Sequence, residues 1–109
     1  MINLSIIIPI YKESRNIQKL AKDITNYIDI KNYEILFIDD NSNDGTEEIL
    51  KNLYEDNRNI KYIIRKERKI DLSKSCILGF ENSLFDNILI MDGDLQHNPS
   101  NINKLIEVY

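Results

Sequence analysis

The sequence predicts an α/β fold, a Rossmann-like parallel sheet with helices on both faces. Three observations predict it. Short β-branched runs alternate with amphipathic stretches along all 109 residues. The runs are apolar at consecutive positions, as strands buried on both faces must be. The stretches between them are long enough for the helical crossovers that parallel strands require.

The elements follow in order. Leu4-Ser5-Ile6-Ile7-Ile8 reads as the first strand, closed by Pro9. Ile17, Leu20, Ala21, Ile24 and Ile28 recur at helical spacing, and Ser14 is the expected N-cap. Glu34 to Ile38 is the second strand, Asp39 to Gly45 a loop, and Ile49, Leu50 and Leu53 mark a short helix. Ile60 to Ile64 is the third strand, ending at Arg65, and the charged segment Lys66 to Asp71 has no period and reads as a loop. Leu72 to Leu84 reads as a helix burying Cys76, Ile77, Phe80 and Leu84. Asn87 to Met91 is the fourth strand, and Asp92 to Asn98 a loop. Asn98-Pro99 is a helix start, with Asn as cap and Pro in the first turn. Ile102, Leu105, Ile106 and Tyr109 continue that helix face.

Composition narrows the function. Eighteen acidic against fourteen basic side chains give a net charge of −4, which argues against a nucleic-acid partner. A single cysteine excludes a disulfide framework and a Cys-rich zinc site. No apolar run approaches the ~20 residues of a membrane span, and no basic segment leads into a signal-peptide core. The expected location is cytoplasmic. No G-x-G-x-x-G, G-x-x-x-x-G-K-[ST] or G-x-S-x-G is present, so dinucleotide oxidoreductases, P-loop NTPases and triad hydrolases lose their warrant.

In open parallel sheets ligands bind outside the carboxyl ends of the strands. That selects the loops 9–14, 39–45, 65–71 and 92–98. In Asp92-Gly93-Asp94-Leu95-Gln96 two carboxylates at i and i+2 can converge on a hard cation such as Mg²⁺ or Mn²⁺, and Gln96 adds a neutral oxygen. Asp39 and Asp40 can accept hydrogen bonds from a ribose hydroxyl or a base N–H, while Asp44, Gly45 and Thr46 read as turn structure. After Pro9, Tyr11 could stack on a base or pack locally, and Glu13 could act only on the helix dipole. The stretch Arg65-Lys66-Glu67-Arg68-Lys69, with Ser73 and Lys74, suits a phosphate-bearing ligand or a solvated charged loop. His97 is given no role, and Cys76 goes to the core.

Together these loops resemble the nucleotide-sugar-binding half of family 2 glycosyltransferases with the GT-A fold. The matching residues are Ile7-Ile8-Pro9-Ile10-Tyr11-Lys12-Glu13 with Asn16-Ile17, then Phe37-Ile38-Asp39-Asp40-Asn41-Ser42 with Asp44-Gly45-Thr46. Arg65 and Leu72-Ser73 follow, then Met91-Asp92-Gly93-Asp94-Leu95-Gln96-His97 with Pro99. The last string is similar to the polyprenol-phosphate sugar transferases, especially dolichyl-phosphate mannose synthase-like proteins. The resemblance implies that Pro9, Tyr11, Glu13 and Asp40 surround the nucleoside, with Asp39 near it. It places Arg65 and Lys69 near the nucleotide or its phosphates. Asp92, Asp94 and Gln96 would hold Mg²⁺ or Mn²⁺ on the diphosphate, with Asp92 also counted at the substrate and Asp94 as the catalytic residue.

The implied donor is GDP-mannose or a UDP-sugar, and the implied acceptor a polyprenyl or dolichyl phosphate. The implied location is peripheral at the cytoplasmic membrane face. Such an acceptor is already an anion and needs no strong general base, and the 109 residues offer no candidate base. The chain departs from the family pattern at Asp71-Leu72, where Gly-Leu is common. It is also half the length of the family's catalytic domain. Residues 1–109 are therefore expected to be the N-terminal, nucleotide-sugar-binding portion of a truncated domain. Two other readings stand beside this one. One is a non-catalytic nucleotide-binding fragment. The other is a phospho-receiver with Asp92 as acceptor, against which an extra strand and helix precede the acidic pair.

Overall fold

A computed structural model describes residues 3–28, 32–66 and 69–91, so the expected loop and helix over 92–109 lie outside the described residues. The described elements are β1 (Leu4–Ile10), α1 (Ile17–Tyr27), β2 (Tyr33–Asp39), α2 (Thr46–Asp56), β3 (Ile60–Ile64), α3 (Leu72–Asn82) and β4 (Asn87–Ile90). All strand pairs are parallel, in the order β3-β2-β1-β4. The expected α/β architecture is present.

Alternation along the strands divides the core. Ile6, Ile8 and Ile10 of β1, with Ile35 and Phe37 of β2, meet Ile17, Leu20, Ala21 and Ile24 of α1 and Leu50 of α2. Ile7, Leu36 and Ile38 point to the opposite face, against Leu78 of α3. Helices therefore cover both faces, and β1 and β2 are buried along nearly their whole length. The strand order also removes the receiver reading. In a receiver the acid-pair strand adjoins the phospho-acceptor strand. Here β1 separates β2, which carries Asp39, from β4.

Two sequence expectations at the β1 end are corrected. Pro9 does not close the strand but lies within it, paired with Ile38. In a parallel strand alternate residues bond to alternate neighbours. Leu4 donates to Asn32 O, and Ile10 accepts from Asp40, so the even positions serve β2. Pro9 therefore faces β4, whose last bond to β1 runs from the Met91 N–H to Ile7 O, and the missing donor breaks no rung of the β1–β2 ladder. Ser14 is not the N-cap of α1: that position is Asn16, without a side-chain cap, and the Ser14 hydroxyl serves the Asp44 carboxylate instead.

The α3 expectation needs a larger correction. The helix ends at Asn82, and Ile77, Phe80 and Leu84 are 53%, 43% and 65% exposed, with Cys76 only half-buried. The face on the sheet is formed by Ser75, Leu78 and Gly79. The reason is proximity. A Cβ at Gly79 would lie 2.5 Å from Ile7 Cγ2, so only the small-residue face fits this close to β1.

The amino ends of the strands hold a buried polar clasp. Ser5 Oγ donates to Glu34 Oε2 at 2.6 Å, and Lys61 Nζ lies 3.1 Å from Glu34 Oε1. The Leu84 N–H also donates to Glu34 Oε2, and the Phe85 N–H donates to Ser5 Oγ at 3.1 Å. Two adjacent backbone donors just before β4 are thus tied to β1 and β2. Burial pushes the Glu34 carboxyl up, but the Leu84 N–H, the Ser5 hydroxyl and the Lys61 ammonium outweigh it. The result lies below the ordinary 4.5.

Two outcomes are expected. Gly79→Ala should destabilise the chain by about 1–3 kcal/mol in urea titrations, because overpacking against the stiff, buried Ile7 exceeds the ~1 kcal/mol gain in helix propensity. A carboxyl with a depressed folded pKa stabilises the fold above its unfolded value and loses that contribution as pH falls through the folded value. The stability gap between wild type and Glu34→Gln should therefore be full near neutrality and shrink below about pH 4.5. A gap that is constant with pH would remove the charged clasp.

Candidate functional site

The carboxyl ends of β1 and β2 lie side by side, and the Asp40 N–H donates to Ile10 O at 3.0 Å. Beyond them the backbone turns through left-handed conformations at Lys12 (φ 53°), Asn41 (φ 60°), Asn43 (φ 55°) and Gly45 (φ 90°). Asn and Gly adopt this region readily, whereas Lys12 does so at a cost and needs a hold. Ser42 supplies it: its Oγ accepts from the Lys12 N–H at 2.7 Å. The Ser42 hydroxyl in turn donates to Asp39, and the Ser42 N–H donates to Asp39 Oδ2 at 3.0 Å.

Asp39 is thus the base of a clasp joining two loops, and its side chain is buried at 2% exposure. Burial raises its pKa, the Ser42 hydroxyl and N–H oppose that rise, and the charges of Asp44 and Asp40 add to it. Asp44 accepts from the Thr46 hydroxyl and N–H at the start of α2, as its turn role predicts. Burial pushes the Asp44 carboxyl up, but the bonds from Thr46 and Ser14 hold it below the usual carboxylate value.

Asp40 takes a different place. It lines an open pocket of about 190 Å³ with Pro9, Ile10, Tyr11, Ile70 and Ser75. Its Oδ2 accepts from the Asp71 N–H at 2.7 Å. Arg65 Nη2 lies 2.6 Å from Asp40 Oδ1, a charge contact without an aligned hydrogen bond. Arg65 is itself buried at 5% exposure and also donates to the Lys69 carbonyl. One guanidinium therefore holds both the carboxylate and the Lys69 carbonyl.

The Asp71 side chain does not enter the pocket. It caps α3, accepting from the Lys74 N–H at 3.1 Å, as a helix N-cap does.

The structure therefore sorts the sequence-predicted residues. Pro9, Tyr11 and Asp40 come together around the pocket. Arg65 stands behind Asp40, and the Lys69 backbone holds Arg65. Asp39 serves Ser42, and the Glu13 carboxylate accepts from Asn16 Nδ2 at 2.9 Å at the start of α1. Asp92, Asp94 and Gln96 lie outside the described residues. Among the described residues no group of three or more His, Cys, Asp or Glu could hold a metal.

The sequence reading missed Ser42, Ile70 and Ser75. A signal for Ser75 exists: Asp71, Ser75 and Gly79 recur every four residues, a stripe of short side chains along one helix face.

Chemically, the pocket offers apolar walls from Pro9, Ile10 and Ile70, a half-exposed phenol ring at Tyr11 and a carboxylate that only accepts hydrogen bonds. Lys12 Nζ sits 5.3 Å from the Tyr11 ring centroid. Such a pocket suits a flat ring bearing N–H donors.

Ser42→Ala should free the Lys12 amide. Hydrogen exchange at that amide should accelerate, and stability should fall by about 1–3 kcal/mol, because Asp39 loses a buried partner. Unchanged exchange at Lys12 would contradict the clasp.

Comparison with known proteins adds an independent line. The sequence matches the family described as glycosyl transferase family 2 over residues 5–109. It is 40% identical over 107 residues to a dolichol-phosphate mannosyltransferase of Pyrococcus furiosus, covering 95% of this chain and 29% of that protein. The fold is similar to that of the mannosyltransferase PcManGT from Pyrobaculum calidifontis, solved in complex with GDP-Man and Mn²⁺. The TM-score is 0.75 at 19% identity, over 84% of this chain and 27% of that one. It is also similar to S. aureus TarS 1–349 in complex with UDP-GlcNAc, with a TM-score of 0.79 at 20% identity over 97% of this chain and 30% of that one. The chain thus spans less than a third of the length of each.

Proposed function

The chain belongs to glycosyl transferase family 2, and from that membership we propose that it forms the nucleotide-sugar-binding part of a metal-dependent glycosyltransferase. The sugar is transferred from a nucleoside diphosphate, GDP-mannose or a UDP-sugar, to a polyprenyl or dolichyl phosphate. The observation that carries the donor half is the pocket itself. Asp40, locked by Arg65 and the Asp71 N–H, stands at the carboxyl end of a parallel sheet between Pro9 and Tyr11. That is where open α/β sheets bind nucleotides.

Each residue has a part in this reading. Tyr11, Pro9 and Ile70 enclose the base, and Asp40 accepts its N–H groups. The Ser42–Asp39 clasp holds the Lys12 turn, so that Tyr11 stands at the pocket. Arg65 keeps Asp40 aimed. Asp92 and Asp94, with Gln96, are an all-oxygen donor set that suits Mg²⁺ or Mn²⁺. The metal would neutralise the charge that builds on the departing diphosphate. Asp94 is the residue assigned to catalysis through that role. Met91, which precedes Asp92 in the sequence, follows β4 and donates its N–H to Ile7 O.

The acceptor phosphate oxygen attacks the anomeric carbon, and the bond from that carbon to the nucleoside diphosphate breaks. The acceptor is already an anion, so the step needs no strong general base. A relative named dolichol-phosphate mannosyltransferase supports this acceptor class. With a lipid phosphate as acceptor, the proposed location is peripheral, at the cytoplasmic membrane face. Among the described residues no helix is long and apolar enough to cross a membrane.

Calorimetry of the full chain with GDP-mannose and UDP-sugars, with and without Mn²⁺, tests the proposal. One donor should bind, more tightly with Mn²⁺. Asp40→Ala should weaken it about tenfold or more, and Asp94→Ala should abolish the Mn²⁺ enhancement. No binding by a folded sample, or an Asp94→Ala variant that still responds to Mn²⁺, would contradict it.

A further inference from the structure

Ser75 lies in the first turns of α3 with 1% of its surface exposed, and among the described residues its Oγ has no hydrogen-bond partner. Folded proteins leave few buried hydroxyls unpaired, because each costs stability. A helical serine ordinarily returns its hydroxyl to the carbonyl four residues back. Here Asp71 O accepts only the Ser75 N–H, at 3.1 Å. The hydroxyl is therefore not used by the helix, and the residue stands in the wall of the pocket that Asp40 also lines.

We propose that Ser75 is a specificity-determining residue for the donor's base, its hydroxyl and the Asp40 carboxylate together reading the base's hydrogen-bonding edge. The inference rests on the donor reading above and deepens it. Two properties of the pocket select a base over the other parts of a nucleotide. Its walls are apolar, and an aromatic ring, Tyr11, lines it. The two polar groups are complementary. A carboxylate only accepts, whereas a hydroxyl can also donate, so the pair suits a ligand edge with a donor beside an acceptor. Both carboxylate oxygens of Asp40 retain accepting capacity beyond Arg65 and the Asp71 N–H. One rotation about the Ser75 Cα–Cβ bond carries Oγ between staggered positions without a backbone shift. A base whose edge fails the pattern leaves a buried group unpaired, which is how a hydrogen-bonding pocket rejects a near-isostere.

The test measures dissociation constants of GDP, UDP, ADP and CDP for the full chain and for Ser75→Ala, with Mn²⁺ present, together with the unliganded melting temperature. Alanine keeps the helix, and no protein hydrogen bond is lost, so the melting temperature should not fall. The best-bound nucleotide should weaken about tenfold and the worst-bound by less than about twofold, narrowing the base preference. Four unchanged constants would overturn the proposal, and so would four constants weakened by one common factor. Either result leaves the donor reading standing. Failure of wild type to bind any of the four would overturn both.

Discussion

Seven residue pairs, from Leu4↔Tyr33 to Ile10↔Asp39, hold β1 and β2 in parallel register, and the rest of the molecule is arranged around that alignment. The side-chain period of a strand is two, so a slip by one residue would send every core isoleucine to the opposite face of the sheet, against the wrong helix. The same register brings Ile10 and Asp39 level at one end. The two loops that leave them can then share Ser42 and Lys12. Burial of both strands on both faces makes any other pairing costly, which is why a clasp of a few hydrogen bonds suffices to shape the site.

Charge is placed at the two ends of this sheet for different reasons. At the amino ends Glu34 has all its partners within the chain and ties the approach to β4 onto its neighbours. At the carboxyl ends Asp40 is held by Arg65 and the Asp71 N–H yet still borders open space. Both are buried carboxylates, and burial alone would penalise each. The first is satisfied and structural. The second is braced from behind and left available in front.

Much of this was legible in the sequence. β-branched runs and helical spacing located all seven described elements. The strand-end rule then points to the loops 9–14 and 39–45, and the family resemblance to Pro9, Tyr11 and Asp40 within them. What sequence could not show was which polar residues spend their hydrogen bonds inside the protein. Asp39 and Asp40 are adjacent and identical, and only the pleat of β2 sends one to Ser42 and the other to the pocket. Glu13 and Arg65 look like ligands for a substrate in one dimension and prove to have partners nearby. Hydrophobic periodicity puts apolar residues on the inner face of α3. The sheet instead demands small ones there, and closeness of approach leaves no mark on hydrophobic periodicity.

The contact between Gly79 and Ile7 reaches beyond packing. A helix is a stiff rod, and Ser75 lies one turn from Gly79, about 6 Å along the axis. The distance of closest approach at Gly79 therefore sets how deeply the amino end of α3 sits over the sheet edge. A bulkier side chain there would act on a fulcrum, and the pocket wall would lift with the helix. Affinity for a small ligand and tolerance to substitution in the interior are consequently coupled through one residue that touches no ligand.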